Sequence, residues 1–166
     1  MHWSIQICIA AAMLMLIVAA LHDLALRTVP NGLTATLGVC AVILAAIQQR
    51  LFCSLAIASP LLLMTFALWL RGYMGGGDAK LLTVCGLLVA PSSVVPMLLT
   101  TAVGGGVLCL PYLFGSRLLS SPAPGRPTRL ISRLLRCERW RLRRRGPLPY
   151  AVAIAAGTIS ALLHGA

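Results

Sequence analysis

The sequence predicts an all-α, polytopic membrane protein of about six transmembrane helices, with a basic cytoplasmic loop between helices five and six. Three observations carry that prediction. The 166-residue chain is 59% hydrophobic and 10% charged, with a mean hydropathy of +0.92, whereas soluble domains run about 45–50% apolar and about 25% charged. Its apolar runs approach the roughly 20 residues that a helix needs to cross a hydrocarbon core of about 30 Å. Its charge is lopsided: 14 Lys and Arg stand against 3 acidic residues, Asp23, Asp78 and Glu138. Disorder and a disulfide scaffold are excluded by the same composition. One integral-membrane domain over residues 1–166 is expected, with residues 115–147 as an Arg-rich loop within it.

The first apolar segment runs from about Trp3 to Leu21 without a charge. Its flank lacks Lys and Arg and the run is long, which disfavours a cleaved signal peptide. The second runs from about Leu33 to Ile47 and the third from about Leu51 to Leu70. The fourth, from about Ala79 to Ala90, is short and stops ahead of Pro91. The fifth covers about Val94 to Phe114 and the sixth about Leu148 to Leu163. Cys8, Cys40, Cys53, Cys85, Cys109 and Cys137 are scattered singly. No C-x-x-C pair and no His at ligand spacing accompanies them, so no metal and no cofactor is expected.

Six crossings sort the loops by charge. Arg27, Arg71, Lys80 and the residues from Arg117 to Arg145 fall on one side, 13 of the 14 basic residues; only Arg50 falls on the other. The positive-inside rule makes the crowded side cytoplasmic and turns both termini outward. Within the long loop, Leu130, Ile131, Leu134, Leu135 and Leu142 recur among arginines. That pattern predicts contact of Arg126–Arg145 with anionic lipid headgroups. Nucleic acid is not an expected partner, since only Trp140 is available there for stacking.

Two acids remain at the apolar segments. Asp23 closes the first and Asp78 opens the fourth, so both fall at the cytoplasmic membrane face. Ionisable residues at such places are costly and commonly functional. Two carboxylates from different helices that meet share a proton, as in an aspartic protease. The bland alternative is an N-cap at Asp78 and a surface pair of Asp23 with Arg27. A helix N-terminus favours an anion and a C-terminus disfavours one. On that ground Asp78 is expected to be the resting base and Asp23 the resting acid. Asp23 sits in D-x-x-x-R-x-V-P-N with Arg27, Pro30 and Asn31; Asp78 sits in Gly75-Gly76-Gly77-Asp78-Ala79-Lys80. The glycines allow positive φ and close approach of a substrate backbone, and Gly75 to Gly77 are expected to shape a mobile gate over it.

These two motifs resemble those of the type IV prepilin peptidases, the membrane aspartic proteases with a G-x-G-D signature. The short form of Flp-type, or tight-adherence, pili is the most similar. Asp23, Arg27, Pro30 and Asn31 match the first motif, and Gly75, Gly77, Asp78 and Lys80 the second. Pro149-Tyr150-Ala151-Val152-Ala153-Ile154-Ala155-Ala156-Gly157 is similar to the family's last helix. The resemblance implies an inner-membrane endopeptidase, with both aspartates catalytic near the cytoplasmic face. It implies cleavage of the short basic leader of prepilin or pseudopilin substrates just after a glycine, on an apolar helix that arrives from the bilayer. The region of the larger members that carries two C-x-x-C pairs and methylates the new terminus is absent here. The oligomeric state is left open. A proton-coupled carrier or a non-catalytic subunit of a pilus or secretion machine is the alternative from another class.

Overall fold

The computed structural model describes residues 2–118 and 148–164 of the chain. All regular structure among them is helical: α1 (His2–Leu26), α2 (Asn31–Ile47), α3 (Leu51–Leu70), α4 (Gly76–Leu88), a 3-10 turn (Pro91–Ser93), α5 (Val94–Leu118) and α6 (Tyr150–His164). Three stretches, Trp3–Leu26, Leu51–Leu70 and Pro91–Pro111, are long and apolar enough to cross a membrane; Asn31–Ile47 and Tyr150–His164 are apolar but shorter. The predicted lipid-contacting segment at Arg126–Arg145 lies outside the described residues.

The helices bury narrow stripes and leave many large apolar side chains outside. Ala12, Leu16 and Ala19 of α1, and Leu37, Ala41 and Leu44 of α2, recur three and four residues apart and are buried, as are Leu81, Leu82, Cys85 and Leu88 of α4. Leu14, Ile17, Leu62, Leu63 and Phe66 point outward. The many large apolar side chains left on the outside suit lipid as the outer solvent. The central element is α4, which packs on α2, α3 and α6; consecutive α2 and α3 touch each other little. α6 in turn packs on α1 and α5. Gly157 makes the close α5–α6 approach possible: a Cβ there would lie 2.9 Å from Met97 O and 3.0 Å from Thr101 N.

Helix limits differ from the sequence expectation in two informative places. α1 continues through Leu24, Ala25 and Leu26 and stops at Arg27, whose φ of 58° is left-handed. Asp23 therefore stands one turn inside the helix. α4 starts at Gly76, three residues early, with Gly75 as its N-cap. Elsewhere the helix ends are locally encoded. α3 closes with Gly72 at φ 73°, Tyr73 N donating to Leu68 O and Gly72 N to Trp69 O, which satisfies carbonyls that a helix end leaves open.

Candidate active site

Asp23 and Asp78 come from α1 and α4, with α2 and α3 between them in the chain, yet both line one cavity of about 480 Å³. Its wall also includes Arg27, Tyr73, Met74, Gly75, Leu148 and Tyr150. The volume lies in the usual range of ligand clefts, about 300–1,000 Å³. All of these residues sit at one end of the helices, where α1 ends and α4 and α6 begin.

The two carboxyl groups live in different surroundings. Asp23 is 5% exposed, and its Oδ2 accepts a hydrogen bond of 3.2 Å from the Ala151 backbone N–H. Ala151 is the second residue of α6, so its N–H belongs to the first turn, where intrahelical acceptors are missing. The N-terminal end of α6 thus faces Asp23. Asp78 is half-buried in the first turn of α4, outside the helices long enough to cross a membrane. Burial pushes its carboxyl from the ordinary 3.8 up to about 6, and the charge of Asp23 adds to the effect. Asp23 lies near the end of its own helix but also against the start of α6, and Asp78, despite its helix N-terminus, keeps its proton to higher pH than an ordinary carboxyl.

The two motifs meet at further points. Lys80 Nζ donates to Asn31 Oδ1 at 3.2 Å, tying the start of α2 to α4. A Cβ on Gly77 would fall 3.3 Å from Val29 Cβ and 3.6 Å from Val29 N, so the loop between α1 and α2 lies directly on this glycine. Gly76 packs on the Trp69 indole, and a Cβ on Gly75 would stand 3.0 Å from Asp78 Oδ2. None of the three takes a positive φ; that conformation belongs to Gly72. The glycines act by close packing, against neighbours that a side chain would displace. Pro30 caps α2 with φ −62° and ψ 133°, and its carbonyl accepts from Thr34 N at 3.2 Å.

Four of the nine singled-out residues, Asp23, Arg27, Gly75 and Asp78, line the cavity; Pro30, Asn31, Gly76, Gly77 and Lys80 shape its frame. Sequence reasoning left out Tyr73, Met74, Leu148 and Tyr150 as wall residues. The Pro149-Tyr150 match was the available signal for the last of these. Tyr150 is seated by α5: a Cβ on Gly105 would meet its ring at 2.6 Å. His22, next to Asp23 in the chain, turns away and donates from Nδ1 to Thr28 O at 2.7 Å. Among the described residues no three His, Cys, Asp or Glu side chains converge as a metal site would require.

A bundle of apolar helices with paired acids in one terminal cleft defines a membrane protein built around a carboxylate-lined cavity. The chain matches the type IV leader peptidase family over residues 10–110 and belongs to that family. It is therefore a membrane peptidase, a hydrolase. The matched stretch holds both aspartates and stops before α6. No curated protein and no solved structure matches the chain.

Proposed function

We propose that the chain is an aspartic endopeptidase that removes the leader of prepilin-like or pseudopilin substrates at the cytoplasmic face of the bacterial inner membrane. The observation that supports it most is the shared cavity: Asp23 and Asp78, from separate helices, open on the same space. Six crossings put Arg27, Arg71 and Lys80 on the cavity's side and leave Arg50 on the other, which makes that side cytoplasmic. A substrate helix lying in the bilayer then presents its junction with the leader at the depth of the two acids.

In this reading Asp23, its charge supported by the Ala151 N–H, is the resting base. It takes a proton from a water molecule, whose oxygen attacks the scissile carbonyl carbon. Asp78 gives its proton to the carbonyl oxygen, so the tetrahedral intermediate leaves the cavity with one carboxylate and one carboxylic acid, exchanged in role. Collapse sends the proton from Asp23 to the leaving nitrogen and returns the hydroxyl proton to Asp78. The C–N bond breaks, and both acids are back in their first state. The Arg27 guanidinium on the same wall supplies positive charge for the developing oxyanion.

The test is co-expression with a prepilin-like substrate. The wild type shortens the substrate, and Asp23→Asn and Asp78→Asn leave the leader in place. Unchanged processing by either variant would overturn the dyad.

A further inference from the structure

The structure assigns Arg50, at the far end of the bundle from the cavity, the role of a positioning residue that sets the axial placement of α4 and so the approach of Asp78 to Asp23. This rests on the dyad reading above.

α4 is 13 residues long, about 20 Å at 1.5 Å per residue, and is the shortest helix described. Its last carbonyls have no next turn to accept from. Val89 is extended and fully buried, and Pro91 has no N–H to offer. Arg50 meets this end directly: Nη1 donates to Val89 O at 2.6 Å and Nη2 to Leu88 O at 2.7 Å. A planar fork reaches two neighbouring acceptors at once, and a cation at a helix C-terminus opposes the negative end of the helix dipole.

The guanidinium is itself held in place. Nη1 also donates to Ser54 Oγ at 2.9 Å and Nε to Gln48 Oε1 at 2.6 Å. The Arg50 backbone N–H closes the α2 terminus on Ala45 O at 3.0 Å, after Gln49 at φ 55°. The side chain therefore bolts the end of α4 to the turn between α2 and α3. At the other end α4 is met by Val29 against Gly77 and by Asn31 against Lys80. A helix transmits an axial shift along its length, so slackening the Arg50 clasp moves Asp78 relative to Asp23. This also gives a physical reason for the one basic residue on the sparsely charged side of the membrane: its charge is spent on carbonyls, not on a loop surface.

The experiment uses the full-length protein in detergent or liposomes with a prepilin-like substrate, and compares Arg50→Met and Arg50→Lys with wild type. Misplacement of a reacting group by about 1 Å costs on the order of a hundredfold in rate. Arg50→Met is expected to lower kcat by about 10- to 100-fold, to leave KM within about twofold, and to displace the alkaline limb of the pH profile. Arg50→Lys, whose single ammonium replaces the two-pronged fork, is expected to fall between. If Arg50→Met does not insert, Arg50→Lys is read in the same way. Wild-type kcat per folded enzyme with an unmoved limb overturns the proposal, even where the yield of folded protein falls, because that pattern belongs to a purely structural clasp. If Asp23→Asn or Asp78→Asn still cleaves, the dyad reading fails; if both are inactive while the Arg50 variants match wild type, only the role of Arg50 fails.

Discussion

The different surroundings of the two acids lead to a pH dependence with a defined sign. Asp78 carries a carboxyl raised from 3.8 to about 6 by burial first and by the Asp23 charge second. A raised group keeps its proton below about pH 6 and loses it above. If Asp78 is the acid that protonates the carbonyl oxygen, kcat/KM declines above about pH 6, tenfold per unit, so that about a hundredth of the free enzyme is competent at pH 8. A bound substrate helix dries the cavity further, which places the corresponding limb of kcat at higher pH. Asp23→Asn removes the second of the two causes, so the Asp78 proton leaves at lower pH in that variant. It also removes the base and is expected to cost about 10²- to 10⁴-fold in rate. The assay is leader cleavage by the reconstituted enzyme between pH 4 and 9. Carbodiimide labelling of Asp78, read by mass spectrometry against pH, follows its titration in the inactive variant. A flat kcat/KM from pH 4 to 9 refutes the dyad, and an Asp78 titration unmoved by Asp23→Asn refutes the coupling.

Other perturbations separate the frame from the chemistry. Gly77→Val drives a branched side chain into Val29, which already lies 3.3 Å from where a Cβ would start; inserted protein with cleavage reduced more than about tenfold is expected, at an overpacking cost of about 1–3 kcal/mol. Gly105→Ala pushes on the Tyr150 ring and is expected to lower cleavage while both carboxylates remain, checked by kcat against a thermal melt. Gly157→Ala meets backbone atoms of α5 at Met97 and Thr101, and a fall in Tm of several degrees is expected, read by thermal unfolding in detergent. Lys80→Ala loses one exposed hydrogen bond to Asn31, about 0.5–1.5 kcal/mol, so a small fall in Tm with cleavage near wild type is expected.

The helices were legible because hydropathy alone marks them. In a bilayer an apolar segment satisfies its own backbone or is not inserted, so a run such as Leu51–Leu70 has the same limits in the sequence and in the fold. The two acids were legible for a related reason, since an ionisable side chain beside such a run stands out. Asn31 and Lys80 were visible as motif members, but not as partners of each other across 49 residues. The glycine run showed that something approaches closely there. It did not show that Trp69, Val29 and the Asp78 carboxyl are what approach.

Composition and pattern by themselves determined a helical membrane protein, the family-like motifs and the pair of acids, because each is a property of residues near one another in the chain. The partners of the helix ends were decided only in three dimensions. Asp23 meets the Ala151 N–H from 128 residues away, and Arg50 meets the end of α4 from 38 and 39 residues away. A helix end has a local sequence but no local partner. Which side chain occupies it depends on how the other helices pack, and that packing sets Asp23 against the first turn of α6.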